Sequence, residues 1–337
     1  MIIYRTSDVH IEQQINVHVI NIPGAADMYL VHEEQLWNAL RGADELRDRV
    51  RLTIGLGPEQ QQAIEAADVL VGWQFPREVV ARATNLRWIH VIGAGVEHLQ
   101  PLDWVPEGAV VSTSSGAHVP KAGEFIACAL LMLNNQIPLH MTNQRAHKWS
   151  EWHSSCIGGK TVAIIGVGAL GGEGARRAKE LGLRVRGVRQ SRTAHDHVDE
   201  MYGPDEVDRA VAGAHFLLVT AALTPATSGL IGGAQFDLLA PGAGVINVAR
   251  AGIVDYDELA ARLADGSLSG AVLDVFDPEP IPPESPLWDS PRLVITPHVA
   301  LDALDYTDRM LAIFAENLAL LVDDQPLRNQ VHRDRGY

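Results

Sequence analysis

A chain of 337 residues with 47% hydrophobic and 20% charged content has the profile of an ordinary globular protein, long enough for two cores. Its formal net charge of −15 argues against nucleic acid or an anionic membrane as partner, because phosphates would be repelled overall. Two cysteines are too few for a disulfide framework or a structural zinc site. Cys128 lies in the apolar run Phe125–Leu133 and is expected to be a buried thiol.

The N-terminal Met1-Ile-Ile-Tyr-Arg5 reads as a short strand without the apolar stretch of a secretory leader. No apolar run reaches the ~18 residues that span a bilayer, so a cytoplasmic location is expected. Over the first 115 residues, the strand candidates Ile2–Arg5, Leu52–Ile54, Val69–Gly72, Trp88–Ile92 and Ala109–Val111 suggest a weakly patterned α/β unit. Two long helices are predicted, over Val119–Asn134 and Asp302–Val322, one on each side of a central block. The polar stretch Asn134–Trp152 follows the first of them.

From Lys160 the pattern alternates. The strand candidates are Thr161–Ile165, Arg184–Val188, His215–Val219, Gly244–Val248, Ala271–Val275 and Leu293–Thr296. Helical patterns over Glu173–Leu181, Asp205–Val211, Ala234–Leu239 and Tyr256–Asp265 separate most of them. Buried apolar strands alternating with helices predict a parallel sheet covered on both faces. The placement of the long helices implies that the chain crosses between domains twice and that its C-terminal tail packs back on the first.

The run Val162-Ala-Ile-Ile165 stops at Gly166-Val-Gly168-Ala169-Leu170-Gly171, and a helical pattern follows. A GxGxxG between a buried strand and a helix is the context in which a backbone can approach a pyrophosphate. The next strand ends Gly187-Val-Arg-Gln-Ser-Arg192, with Arg189 where a site for NAD would place an acid on the ribose hydroxyls. Arg189, Ser191 and Arg192 suit a 2′-phosphate instead, so NADP(H) is favoured and NAD(H) is second.

Ligands of open parallel sheets bind beyond the carboxyl ends of the strands. Three predicted strands run into Arg250, Glu279 and His298. That trio suits reduction of a 2-keto acid. Arg250 offers a planar fork for a carboxylate or keto oxygen, His298 a proton, and Glu279 a charge favouring the imidazolium. No metal is then required.

These segments resemble the D-isomer-specific 2-hydroxyacid dehydrogenases. The resemblance spans nearly the whole chain and is strongest from Lys160 to Ala300, through "GVGALGGEGA", "LTPATSGLIG", "INVARAGIVD", "AVLDVFDPEP" and "PLWDSPRLVITPHVA". It implies catalytic roles for Arg250, Glu279 and His298, with Asp274 near the nicotinamide amide and Val248 and Ala249 beside the cofactor. Ala251 stands where the family commonly has glycine. The tail Arg328–Tyr337 resembles the glyoxylate/hydroxypyruvate reductase branch. The fold implied is a Rossmann-type doubly wound parallel sheet, residues 117–301, inserted into a flavodoxin-like substrate domain, residues 1–116 and 302–337. A homodimer formed through the cofactor domains is implied as well, with Asn134–Trp152 reaching across the interface.

In the first domain, Val91-Ile-Gly-Ala94-Gly95-Val-Glu97 matches the family loop whose amides hold the substrate carboxylate. Trp73 reads equally as a residue at the mouth of the cleft or as a core tryptophan, and His98 and His118 read as structural. The expected function is NADPH-preferring reduction of a small 2-keto acid. A corepressor-like nucleotide-sensing module is the alternative, and the catalytic trio argues against it. A regulatory phosphoglycerate dehydrogenase is a third reading, disfavoured because no ligand-sensing segment follows residue 337.

Overall fold

The computed structural model describes residues 14–56 and 60–331. The chain divides into two compact units, Met1–Ala117 with Ala303–Tyr337, and His118–Asp302.

The first unit is built on five parallel strands, β1 (Ile15–Asn21), β2 (Val50–Leu56), β3 (Val69–Gly72), β4 (Trp88–Val91) and β5 (Val110–Thr113), in the order β2-β1-β3-β4-β5. This is the doubly wound order of flavodoxin-like sheets. Apolar clusters lie on both faces, one of them including Met310, Phe314 and Leu318 of the helix Tyr306–Val322. That helix begins four residues later than its periodicity suggests, after a turn that ends at Asp305. Beyond it, Val331 donates its N–H to the Val111 carbonyl, 2.9 Å. The last six residues of the tail lie outside the described residues.

The sequence pattern misses β1, the second strand of the sheet. Its run Ile-Asn-Val-His-Val-Ile-Asn is broken by polar residues, yet all but Asn16 are buried. His18 survives there because Thr53 lies 2.8 Å from its Nδ1, and Asn21 because its amide pairs with the Val31 backbone. The expected strand Ile2–Arg5 lies outside the described residues.

The second unit carries seven parallel strands: β6 (Thr161–Ile165), β7 (Arg184–Val188), β8 (Glu200–Tyr202), β9 (Phe216–Val219), β10 (Ala243–Asn247), β11 (Leu268–Leu273) and β12 (Leu293–Ile295). Their order is β12-β11-β10-β9-β6-β7-β8, so the winding reverses between β6 and β9. Ligands of such sheets bind at that reversal. The short edge strand β8 carries too little apolar pattern to stand out in the sequence, and it is held by backbone pairing to β7. Two apolar clusters cover the two faces of the sheet.

Cys128 corrects an expectation. The helix Val119–Asn134 buries the stripe Ala122, Ile126, Ala129, Leu130 and Leu133, and helical geometry turns Cys128 away from it, so the thiol is exposed. The polar stretch after this helix is not irregular throughout, since Ile137–Arg145 forms a helix of its own. Among the described residues, no helix is long and apolar enough to cross a membrane.

Candidate active site

The glycine turn follows β6 directly. Gly166 has φ +99°, and a Cβ there would lie 2.5 Å from the Ala221 backbone. A Cβ on Gly171 would meet the Gly166 carbonyl oxygen at 2.2 Å. These two positions let the turn close and the helix Ala169–Glu180 start hard against the strand. At Gly168, which precedes the helix, a Cβ would meet nothing within 4 Å. The exposed backbone at Gly168 and Ala169, with Leu170 beside it, therefore has room for an anion at the helix N-terminus. A recess of about 280 Å³ adjoins it, lined in part by Gly172, Arg176, His195 and His197.

At the end of β7, Arg189 and the exposed Ser191 and Arg192 form a turn in which the Arg192 N–H reaches the Arg189 carbonyl, 3.1 Å. Arg192 is not idle there. Its guanidinium is paired with Asp205 and, at 3.1 Å, with Glu206. Ser191 Oγ lies 2.9 Å from Thr193 Oγ1.

The other candidate residues follow three neighbouring strands. After β10, the buried Val248 and Ala249 lead to the exposed Arg250, whose Nη1 donates to the Ala249 carbonyl, 2.8 Å. After β11 come the buried Asp274 and then Glu279, whose Oε1 accepts the Phe276 N–H at 2.7 Å. After β12 comes His298, with Nδ1 2.7 Å from Glu279 Oε2. Both partners of that contact are partly exposed, so it is open to solvent and to a ligand.

Asp274 does more than the sequence suggests. One of its oxygens accepts from Thr296 Oγ1 at 2.6 Å and from the Val299 and Ala300 amides at 3.0 and 3.1 Å. Burial pushes its carboxyl up from the ordinary range, and these bonds oppose the shift. The carboxylate thus ties down the 296–300 turn on which His298 rides. Asn247, the last residue of β10, was also missed. It donates to the Arg250 carbonyl at 3.1 Å and accepts the Ala249 N–H at 3.0 Å, fixing the turn that presents Arg250. A buried amide ending an apolar strand was the signal for it.

In the first unit, the 93–95 turn follows β4. Gly93 makes way for Trp73, since a Cβ there would lie 2.1 Å from the indole ring. Ala94 is exposed, Gly95 is partly so, and Trp73 stacks on His98 with ring centroids 3.8 Å apart. His118 sits 3.0 Å, through Nδ1, from the Leu301 carbonyl. Among the described residues, no group of three or more His, Cys, Asp or Glu side chains is placed to hold a metal ion.

A parallel sheet whose winding reverses beside a glycine cradle, with titratable side chains after three neighbouring strands, defines a dinucleotide-binding oxidoreductase domain. Residues 127–300 match the family model described as "D-isomer specific 2-hydroxyacid dehydrogenase, NAD binding domain". The chain is 31% identical over 285 residues to glyoxylate/hydroxypyruvate reductase A of Salmonella typhi, covering 80% of this chain and 88% of that one. It belongs to the D-isomer-specific 2-hydroxyacid dehydrogenase family.

Solved structures agree. A D-isomer specific 2-hydroxyacid dehydrogenase from Xanthobacter autotrophicus Py2, in complex with NADPH and MES, is 27% identical with a TM-score of 0.81, over 96% of this chain and 100% of that one. The NADPH-dependent glyoxylate/hydroxypyruvate reductase of Sinorhizobium meliloti, in complex with NADP and sulfate, is 25% identical with a TM-score of 0.79, over the same shares.

Proposed function

We propose that this chain reduces a small 2-keto acid of the glyoxylate or hydroxypyruvate type to the D-2-hydroxy acid, preferring NADPH and accepting NADH. The observation that carries the reading is the 2.7 Å contact of Glu279 with His298, on the strand-end side of the glycine cradle. A bound nicotinamide cofactor supplies the hydride. The residues that suit it are Gly166, Gly168, Ala169, Leu170 and Gly171 for the pyrophosphate, Arg189, Ser191 and Arg192 for a 2′-phosphate, and Val248, Ala249 and Asp274 for the nicotinamide end. The unit His118–Asp302 is accordingly the cofactor domain, and the other unit the substrate domain.

The remaining chemistry falls to three side chains. Arg250 holds the substrate carboxylate or polarises the keto oxygen with its planar fork. His298 gives a proton to that oxygen through Nε2 and takes it back in the reverse direction. Glu279, bonded to the other ring nitrogen, fixes the ring orientation. In the substrate domain, the Ala94 and Gly95 amides are assigned to the substrate carboxylate and Trp73 to the substrate body.

The named relatives support both the substrate class and the cofactor. A homodimer fits the exposed apolar side chains of the second unit, Leu131, Ile137, Met141 and Trp152, with Trp149 93% exposed. The molar mass in solution tests that assembly.

Activity is tested with purified protein, NADPH or NADH, and glyoxylate, hydroxypyruvate, pyruvate and phenylpyruvate. Loss of reduced-nicotinamide absorbance with the first two acids, faster with NADPH, is expected. No loss with any acid removes the reading.

A further inference from the structure

Tyr256 is a tyrosine for which the proposed chemistry has no use, yet its hydroxyl is fully engaged. It is the first residue of the helix Tyr256–Asp265, capped by the Asp255 carboxylate, which accepts the Asp257 and Glu258 amides. A tyrosine at that position needs no inward hydrogen bond to make a helix. Its hydroxyl nevertheless donates to the Val275 carbonyl at 2.8 Å and accepts from Asn247 Nδ2 at 3.0 Å. The same Asn247 nitrogen donates to the Arg250 carbonyl at 3.1 Å. Val275 immediately precedes Phe276, whose N–H is held by Glu279 Oε1, and the Tyr256 ring meets the Phe276 ring edge-on at 6.0 Å.

One hydroxyl therefore stands between two turns. On one side, through Asn247, is the turn that presents Arg250. On the other, through Val275, is the turn that presents Glu279 and, through it, His298. The backbone ladder of β10 and β11 ends at Asn247 and Leu273. Beyond that ladder the Asp274 N–H still reaches the Asn247 carbonyl, 3.1 Å, and the Tyr256 hydroxyl adds a bond toward each turn. Burial pushes the Tyr256 phenol well up from its ordinary value, so it stays protonated and donating across the working pH range.

We propose that Tyr256 is a positioning residue for the reaction, its hydroxyl locking the Arg250 turn and the Glu279 turn into one register. This rests on the function proposed above. It assigns the residue no contact with substrate or cofactor. A group that must be placed to within a fraction of an ångström is sensitive to such a brace, because small misplacements cost rate more than binding.

The test compares Tyr256→Phe with Asp255→Ala. Phenylalanine keeps the ring and deletes the hydroxyl, leaving the Val275 carbonyl without its partner. Asp255→Ala loosens the same helix by removing its cap and leaves the brace intact. For Tyr256→Phe, kcat for glyoxylate reduction should fall roughly tenfold while the KM for NADPH stays within about twofold, the effect expected of one lost hydrogen bond at the reacting groups. Asp255→Ala should lower Tm at least as much and leave kcat within about twofold.

Unchanged kcat in Tyr256→Phe overturns the proposal. So does an equal loss in Asp255→Ala, which would make the effect one of helix stability. If the unaltered protein reduces no 2-keto acid, the functional reading fails first and this inference with it. Turnover that is insensitive to Tyr256→Phe sinks the inference alone.

Discussion

His298 holds a left-handed backbone, φ +54°, and from that conformation places its Nδ1 2.7 Å from Glu279 Oε2. A residue with a Cβ pays for this region of φ/ψ space and keeps it only when its surroundings impose it. Here Asp274 imposes it, by holding Thr296 on one side of the histidine and Val299 and Ala300 on the other. The imidazole is therefore aimed by a buried carboxylate and oriented by an accessible one.

The first prediction concerns that accessible carboxylate. Reduction draws a proton from His298, and the Glu279 carboxylate on its other ring nitrogen holds the ring in place for that transfer. Glu279→Gln removes the charge and keeps the shape. The kcat for reduction should fall by about ten- to a hundredfold, while the KM for NADPH stays within about twofold. An unchanged kcat would dissolve the dyad.

Cofactor choice should depend unequally on the two arginines after β7. Arg192 is already paired with Asp205 and Glu206, so a 2′-phosphate gains less from it. A charge-assisted pair contributes roughly 1.5–3 kcal/mol, so Arg189→Ala should cost about ten- to a hundredfold in NADPH efficiency. NADH turnover should hold or improve, and Arg192→Ala should have the smaller effect. An unchanged NADPH/NADH ratio of kcat/KM in Arg189→Ala would refute the assignment.

Arg250→Lys separates charge from geometry. Lysine keeps the positive charge but not the planar fork, so kcat/KM for the keto acid should fall by a hundredfold or more, on the order of 3 kcal/mol of transition-state stabilisation. Steady-state kinetics across keto-acid concentrations checks this, and near-normal values would remove Arg250 from the chemistry.

What could be read from the sequence followed the strength of local pattern. β6 and β7 have the bounds expected of them: Val162–Ile165 is an apolar run that stops at a glycine turn, and in β7 the buried Val185 and Val188 flank Arg186 and Gly187 between polar turns. β1 was illegible because the partners that make His18 and Asn21 tolerable, Thr53 and Val31, come from elsewhere in the chain. Cys128 was misplaced because an apolar run does not say which face of its helix turns inward. The types of residue at the strand ends were legible, and their bracing was not. Nothing in the local sequence shows that Asp274 reaches Thr296, that Arg192 meets Asp205, or that the Tyr256 hydroxyl finds Val275.

His90 gives a prediction about stability. Its ring is fully buried in β4, with Ser112 Oγ 3.1 Å from Nδ1 and Ser114 Oγ 3.0 Å from Nε2. Burial lowers its pKa to about 3, against an ordinary value of 6.5, so the folded state keeps it neutral where the unfolded chain would protonate it. Between those two values the unfolded state binds the extra proton. Stability is then complete above pH 6.5 and is lost progressively as pH falls toward 3. Burial lowers His18 and His215 in the same direction, so they add to the slope. For His90 alone the loss between pH 6.5 and pH 5 is about 2 kcal/mol, at ~1.4 kcal/mol per pH unit. His90→Gln keeps a neutral polar group and cannot take the proton. It should be less stable than the parent at pH 7 because it fits the site less well, yet lose about 2 kcal/mol less on going to pH 5. Urea unfolding at the two pH values measures both quantities. An acid-induced loss as large in His90→Gln as in the parent would show that the burial of this histidine does not set the pH dependence.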